Sequence, residues 1–405
     1  MSELTATIID IGDESMLGLC EDGRKIWLDG PAVPGDRVTF EMTGKTGTVL
    51  EITEEAPERR PAFCPAFDAC PGCQLQPLPY AQQLERKASK IVEALRRLGG
   101  VQDVPFEGIV PSPREEGSRN KLDFTVEGNR MGYQTRKGLL PLDDCPAGHP
   151  QLRKVIPGLQ KWLEKNPRNQ LHRLLLRVDG SRQKVHVLLR GILEEDERAE
   201  WICWADNSPG VESLSIQKDW RAPWHSLFGE GRLRFSLADQ QHEIAYDSFF
   251  QVNDELADHL VRDTLNELEP GGGNLLDLFC GAGAFTLPAS SLGFNVLGLD
   301  SRPGKGPFLR ADLRKGLPKR VLNQTWQTVI TDPPRSGMEK HLCTQIRDRI
   351  TPEHILYVSC NPATLARDLQ RLCAKGDYSL VKVKGYDLFP QTTHVETLAL
   401  LKRVQ

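Results

Sequence analysis

From about residue 246 to the carboxy terminus the chain keeps one rhythm. NLLDLF, NVLGLD, TVITD and HILYVSC are short apolar runs, mostly closed by polar or small residues, with helical stretches between several of them. Parallel strands need crossover connections, so this alternation predicts a doubly wound α/β sheet that binds ligands at its carboxyl edge. The rest of the chain reads differently, and 405 residues exceed one ordinary domain. In residues 1–53 the runs TATIIDIG, RKIWLDG and VPGDRVTFEMTGKTGTVLEI alternate apolar and polar positions between turn residues. That pattern predicts a small all-β barrel. EEAPERRPAFCP reads as a linker, and 80–98 as an amphipathic helix with Leu84, Ile91, Leu95 and Leu98 on one face. Strand-like runs with few long helices over 105–245 predict an α+β unit. The expected organisation is a barrel over 1–56, a middle domain over 57–245 and a catalytic domain over 246–405. Helix 80–98 is a candidate to pack on the last of these.

Charged residues at 26% and hydrophobic ones at 39% exclude a disordered chain. No run is apolar and long enough to cross a bilayer, and the acidic start MSELTATIIDIGDES is no secretory signal. A cytoplasmic location, with thiols reduced, is the expectation. Residues 1–58 hold four basic and 13 acidic side chains, a net of −9, whereas 301–405 hold 18 and nine, a net of +9. The basic third suggests a polyanionic partner.

The ten cysteines then need an explanation other than disulfides. Cys64, Cys70 and Cys73 lie within ten residues of a Pro- and Gly-rich loop, and Cys145 in DDCPAGHP is the best fourth ligand. Four thiolates suit zinc or an iron–sulfur cluster equally well by spacing. Buried, inert cysteines are the plainer alternative, weakened by their clustering among turn residues.

NLLDLFCGAGAFTL runs from a strand into a Gly-rich turn and a helix, with Asp277 at the strand end and Gly281 and Gly283 in the turn. Asp300 closes the next strand, where an acid can accept hydrogen bonds from ribose hydroxyls. Thr286 stands where a dinucleotide fingerprint needs glycine, which favours S-adenosylmethionine over NAD. TVITDPPRSG places Asp332 at a strand end, with Arg335 nearby and free to meet a substrate phosphate. YVSCNPATL presents Cys360 at a strand end, and Glu396 opens a later strand two residues after His394. A thiol and a carboxylate across a cofactor cleft fit methylation at carbon 5 of uracil. Thiolate addition to carbon 6 makes carbon 5 nucleophilic, and a base then removes its proton. Taken alone, Cys360 reads more readily as a buried strand cysteine than as a nucleophile.

Together these motifs resemble the bacterial 23S ribosomal RNA (uracil-5-)-methyltransferases. VPGDRV resembles the TRAM β-barrel, FCPAFDACPGCQLQPLPYAQQLERK the cluster segment, and SRNKLDFTV and DDCPAGHP the middle domain. DSFFQVN, DLFCGAGAFTLP, DPPRSG, YVSCNPATLARD and FPQTTHVE resemble the catalytic motifs. The resemblance implies a 4Fe-4S cluster on Cys64, Cys70, Cys73 and Cys145, with Cys360 as nucleophile and Glu396 as base. It implies S-adenosylmethionine contacts at Gln251, Phe279, Ala284, Asp300, Asp312 and Asp332. A monomer acting on ribosomal RNA is implied, because transfer RNA members usually lack the barrel and the cluster. Methylation of tRNA, or a noncatalytic RNA-binding protein with a degraded pocket, are the alternatives. A radical enzyme is disfavoured, since Cys145 can close the fourth iron site. Eleven residues between Asp300 and Asp312, including Pro303, Gly304, Gly306 and Pro307, leave no room for both the expected helix and the next strand.

Overall fold

The computed structural model describes residues 4–13, 15–167, 170–180, 183–245, 250–268, 272–304 and 306–404. Five short strands, from Leu4–Ile11 to Thr46–Glu54, close into a barrel. Strand alternation sends Ala6, Ile8, Met16, Leu28, Val38 and Phe40 inward. Part of the acidic surface of this barrel faces basic groups elsewhere in the chain. Asp10 faces Arg86 at 3.7 Å, Asp13 accepts from Lys90 at 2.9 Å, and Asp29 pairs with Arg136.

The middle unit is a seven-stranded sheet, antiparallel except where Val185–Gly191 runs beside Val211–Gln217. Helices Pro150–Lys165 and Glu195–Asp206 cover it through Trp162, Trp201 and Trp204, whose rings lie 4.3–6.3 Å apart.

The catalytic sheet has eight strands. Their spatial order is Phe308–Arg310, Asn295–Asp300, Asn274–Leu278, Thr328–Thr331, His354–Ser359, Glu396–Arg403, Tyr378–Tyr386 and Phe106–Val110. Only Glu396–Arg403 runs antiparallel, slotted between His354–Ser359 and Tyr378–Tyr386. The carboxyl ends of the parallel strands carry Asp277, Asp300, Asp332 and Cys360, and the antiparallel strand begins at the same edge with Glu396.

Two expectations need correction. Strand Phe106–Val110 pairs with Tyr378–Tyr386 and so lies with the carboxy-terminal sheet, although the sequence boundaries put it in the middle domain, whereas helix Tyr80–Arg97, a candidate from sequence to pack on that unit, does pack against helix Pro362–Leu372. Within that helix the buried stripe is Gln83, Lys87, Ile91 and Leu95, while Leu98 is exposed. Two polar side chains replace the expected leucines because they have buried partners.

The short segment after Asp300 keeps its strand. Phe308–Arg310 pairs in parallel with Gly298–Asp300, and no helix lies among its described residues. The Phe308 ring fills space beneath the Gly-rich turn. A Cβ on Gly283, which has φ +90°, would stand 2.6 Å from that ring, and one on Gly298 equally close. The first part of the DSFFQVN motif, residues 247–249, lies outside the described residues. Among the described residues no helix is long and apolar enough to cross a membrane.

Candidate active site

The turn after strand Asn274–Leu278 is built for close approach. Phe279 takes φ +62° and Gly281 φ +51°, both left-handed, and held there by the sheet on either side. The Cys280 N–H donates to Leu299 O at 3.1 Å, and the Gly281 N–H donates to the Asp300 carboxylate at 3.2 Å. Asp300 also accepts from the Arg302 N–H at 2.8 Å, leaving its carboxylate fixed and part-exposed at the strand end. Asp277 lies beneath, fully buried. Thr286 Oγ1 donates to one of its oxygens and the other has no partner. Burial, with the charges of Asp332 and Asp300, pushes its carboxyl up to about 7.

Asp332 follows strand Thr328–Thr331, and its N–H donates to Leu278 O at 3.3 Å. Burial raises it to about 7. Glu396 is 1% exposed, and its Oε1 has no hydrogen-bond partner. Burial, then Asp332, holds its carboxyl well above the usual range. Burial and then Glu396 and Asp332 push the Cys360 thiol up to about 12, while Arg335 opposes them. The thiol and two carboxyls expected from the sequence therefore meet at one sheet edge. In the free protein burial disfavours the ionised form of each of them.

The other expected cofactor residues divide. Phe279 and Ala284 belong to the Gly-rich turn and lie part-buried on the core. Asp312 stands apart as the cap of a single 3-10 turn, held by Arg314 at 2.9 and 3.1 Å, which keeps its carboxyl below the usual range. Gln251 enters helix Asp254–Asn266, and its carbonyl accepts from Asn120 Nδ2 at 3.0 Å.

Sequence reading missed what holds the Glu396 strand in place. Lys87 donates to Asp387 and, at 3.0 Å, to Phe389 O, and Tyr80 donates to Asp387 at 2.7 Å. Gln83 donates to the Gln391 side chain at 2.9 Å and accepts from its N–H at 3.1 Å. Helix Tyr80–Arg97 thus clamps loop 387–394 just ahead of Glu396. Polar residues on the apolar face of a helix were the available signal. Arg335 is also not free. It donates to Asp13 of the barrel at 3.2 Å and lies 3.3 Å from His394 Nδ1.

Cys64, Cys70, Cys73 and Cys145 line one cavity of about 70 Å³, with Arg119 and Tyr133 on its wall. Burial raises the first three thiols, Cys70 to about 11, and neighbouring thiols add to the shift. Among the described residues no three His, Cys, Asp or Glu side chains converge as ligands of a single metal ion. The four thiols share a cavity, and the expected closed metal site is not supported among the described residues.

The tRNA (uracil-5-)-methyltransferase family matches residues 317–404. A tRNA (uracil(54)-C(5))-methyltransferase of Pyrococcus abyssi is 30% identical over 91% of this chain and 94% of that one. The 23S rRNA (uracil(1939)-C(5))-methyltransferase RlmD of Marinomonas sp. is 29% identical over 94% of this chain and 90% of its own. The crystal structure of the Pyrococcus abyssi tRNA (uracil-54, C5)-methyltransferase with S-adenosyl-L-homocysteine aligns at a TM-score of 0.75 and 26% identity, covering 98% of this chain and all of that one. A tRNA-acting protein thus matches nearly the full chain, so the barrel and cysteine segment do not by themselves separate rRNA from tRNA enzymes.

Proposed function

The chain belongs to the RNA (uracil-5-)-methyltransferase family and is an S-adenosylmethionine-dependent enzyme; from this premise we propose that Cys360 is its nucleophile, Glu396 its base and 23S ribosomal RNA its substrate. The observation that carries the catalytic part is the meeting of the Cys360 thiol with a buried Glu396 carboxyl whose Oε1 has no partner.

The Cys360 thiolate forms a bond to carbon 6 of the uridine, and the ring π electrons move onto carbon 5. Carbon 5 takes the methyl group from the sulfonium, whose departing sulfur keeps the bonding pair. Glu396 removes the carbon-5 proton, and those electrons expel the thiolate. Glu396 suits this role because burial makes its carboxylate a stronger base than an exposed one. A sulfonium bound near Asp332 would supply positive charge and so favour the ionised forms of the carboxyls and the thiol. Asp300 and the Gly281–Gly283 turn offer the carboxylate and open backbone for ribose and methionine groups, with Gln251, Phe279 and Ala284 as further contacts. Asp312 would join them only by releasing Arg314. The base must leave its stack to reach Cys360.

Cys64, Cys70, Cys73 and Cys145 would hold a 4Fe-4S cluster. The support for this reading is that the four thiols line one shared cavity. Such a cluster would tie residues 64–73 to the middle sheet. Anaerobic purification should give a brown protein with iron and sulfide; zinc without sulfide would refute the cluster.

The full-length likeness to a tRNA enzyme supports a second reading, with tRNA as substrate. Labelled methyl transfer to 23S rRNA and tRNA transcripts, with mass spectrometry of the product nucleoside, separates the two. 5-Methyluridine in rRNA alone supports the first reading, and in tRNA alone the second. A methyl group on any other base would overturn both.

A further inference from the structure

The barrel reaches the mouth of the catalytic cleft through one residue. Asp13 lies on the loop between strands Leu4–Ile11 and Met16–Cys20. Its Oδ1 accepts from Lys90 Nζ at 2.9 Å and Thr393 Oγ1 at 2.6 Å, and its Oδ2 accepts from Arg335 Nη2 at 3.2 Å. His394 Nδ1 lies 3.7 Å from Oδ1. Every group that gathers on this carboxylate comes from the catalytic side, and each borders the cleft. The Arg335 carbonyl accepts from Asn361 and Thr364, at 3.3 and 3.2 Å, in the turn directly after Cys360. His394 stands two residues before Glu396, and Lys90 also donates to Thr393 O at 3.1 Å.

We propose that Lys90, Thr393, Arg335 and His394 form a site for an RNA backbone phosphate beside the target uridine, and that Asp13 holds this place in the free protein until the phosphate displaces it. A phosphate presents the same kind of acceptor oxygens to the same donors, and arginine with lysine is the usual pair for that anion. The site is open enough to exchange. Side-chain exposure is 61% for Arg335 and 39% for both Lys90 and Asp13. The barrel has other attachments that remain when Asp13 lets go. Val33 is buried with Leu75 and Leu78, and Asp29 pairs with Arg136. Trp27, 48% exposed on strand Lys25–Asp29, lies beside Gly12 of the Asp13 loop and offers a stacking face there. The arrangement also explains how a barrel segment of net −9 can serve an enzyme that binds a polyanion. Its acids screen basic groups while no RNA is present, and a released Asp13 discriminates against weakly bound anions.

The proposal rests on the reading that the Cys360 cleft receives a uridine of RNA. It is tested by binding of a uridine-loop RNA hairpin to the full-length protein at several salt concentrations, for Asp13→Asn, Arg335→Gln and Lys90→Gln. A placeholder and its site act in opposite directions. D13N should tighten binding by roughly twofold to fivefold, since an exposed competing ion pair is removed. R335Q and K90Q should each weaken it and lower the salt slope by about one. A simple clasp between domains would instead make D13N weaken binding, as R335Q does, and that result overturns the proposal. Thermal melting of D13N within a few degrees of wild type shows that the barrel stays docked. Should D13N melt early, Arg335→Gln in the D13N background decides: no further loss of RNA affinity would overturn the proposal. Wild-type protein that binds no RNA would remove the functional reading beneath it as well.

Discussion

The buried ion pair between Lys87 and Asp387 offers the sharpest stability prediction. The Lys87 side chain is 1% exposed and that of Asp387 fully buried. Lys87→Met keeps the apolar stem and removes the charge, leaving Asp387 with the Tyr80 hydroxyl at 2.7 Å and no cation. An uncompensated buried carboxylate costs roughly 3–5 kcal/mol, whereas replacing both partners by apolar residues of similar volume is often neutral. Lys87→Met combined with Asp387→Leu should therefore recover much of the loss, because no unpaired charge remains buried, with the Tyr80 hydroxyl losing its acceptor as the residual cost. The coupling between the two sites should then exceed about 2 kcal/mol. In a chain of several units, global unfolding mixes transitions. Hydrogen exchange of helix 80–97 amides in the single and double variants reads this unit by itself. The Lys87→Met protein should also turn over more slowly, since loop 387–394 leads into Glu396. A single variant within about 0.5 kcal/mol of wild type would refute the reasoning, as would a double variant worse than either single one.

Three further outcomes follow. Asp277 has an ordinary value of 3.8 and a folded value of about 7, so it binds a proton in the fold that the unfolded chain has already lost. Its contribution to stability is full below about pH 4 and disappears as pH rises through 7. Asp277→Asn should thus exceed wild type by only about 1.5 kcal/mol near pH 5 and by up to about 4 kcal/mol near pH 8, measured by urea unfolding without ligand; equal pH profiles would count against it. Gly283→Ala places a Cβ against the Phe308 ring in a left-handed conformation, and should weaken S-adenosylmethionine binding and destabilise the turn by at least about 1 kcal/mol, read by calorimetry. Glu396→Gln should lower turnover about 100-fold to 10,000-fold while leaving RNA affinity intact, and should accumulate a covalent RNA adduct with unmodified substrate.

What the sequence made legible was local. Two-residue alternation marked the barrel, strand–helix rhythm marked the catalytic sheet, and strand ends followed by Gly or Pro turns marked Asp277, Asp300, Asp332 and Cys360. These features lie within one element and its following turn, where backbone periodicity dictates direction. What stayed hidden was pairing across long separations. Strand Phe106–Val110 joins a sheet whose other strands begin at Asn274, and Asp13 meets Arg335 from 322 residues away. No periodicity encodes such contacts. Arg335 therefore looked free, and the acidic barrel looked ill-suited to an RNA enzyme. The short segment after Asp300 left no room for both a helix and a strand, and the strand is what stays, three residues long, with Phe308 packing beneath the turn. Gln83 and Lys87 were legible only as a mismatch, polar side chains on a buried face, and they mark where a helix grips a catalytic loop.

The central claim is that Cys360 attacks the uridine and Glu396 finishes the reaction. It is tested most directly with RNA carrying 5-fluorouridine, because a carbon-5 fluorine leaves no proton for Glu396 to remove. Incubated with S-adenosylmethionine, the wild-type protein should form a one-to-one adduct that survives denaturing electrophoresis, with the methylated nucleotide mapped by mass spectrometry to Cys360. Cys360→Ala should form none. A protein that methylates ordinary RNA, yet gives no adduct or one mapped to another residue, would contradict the assignment.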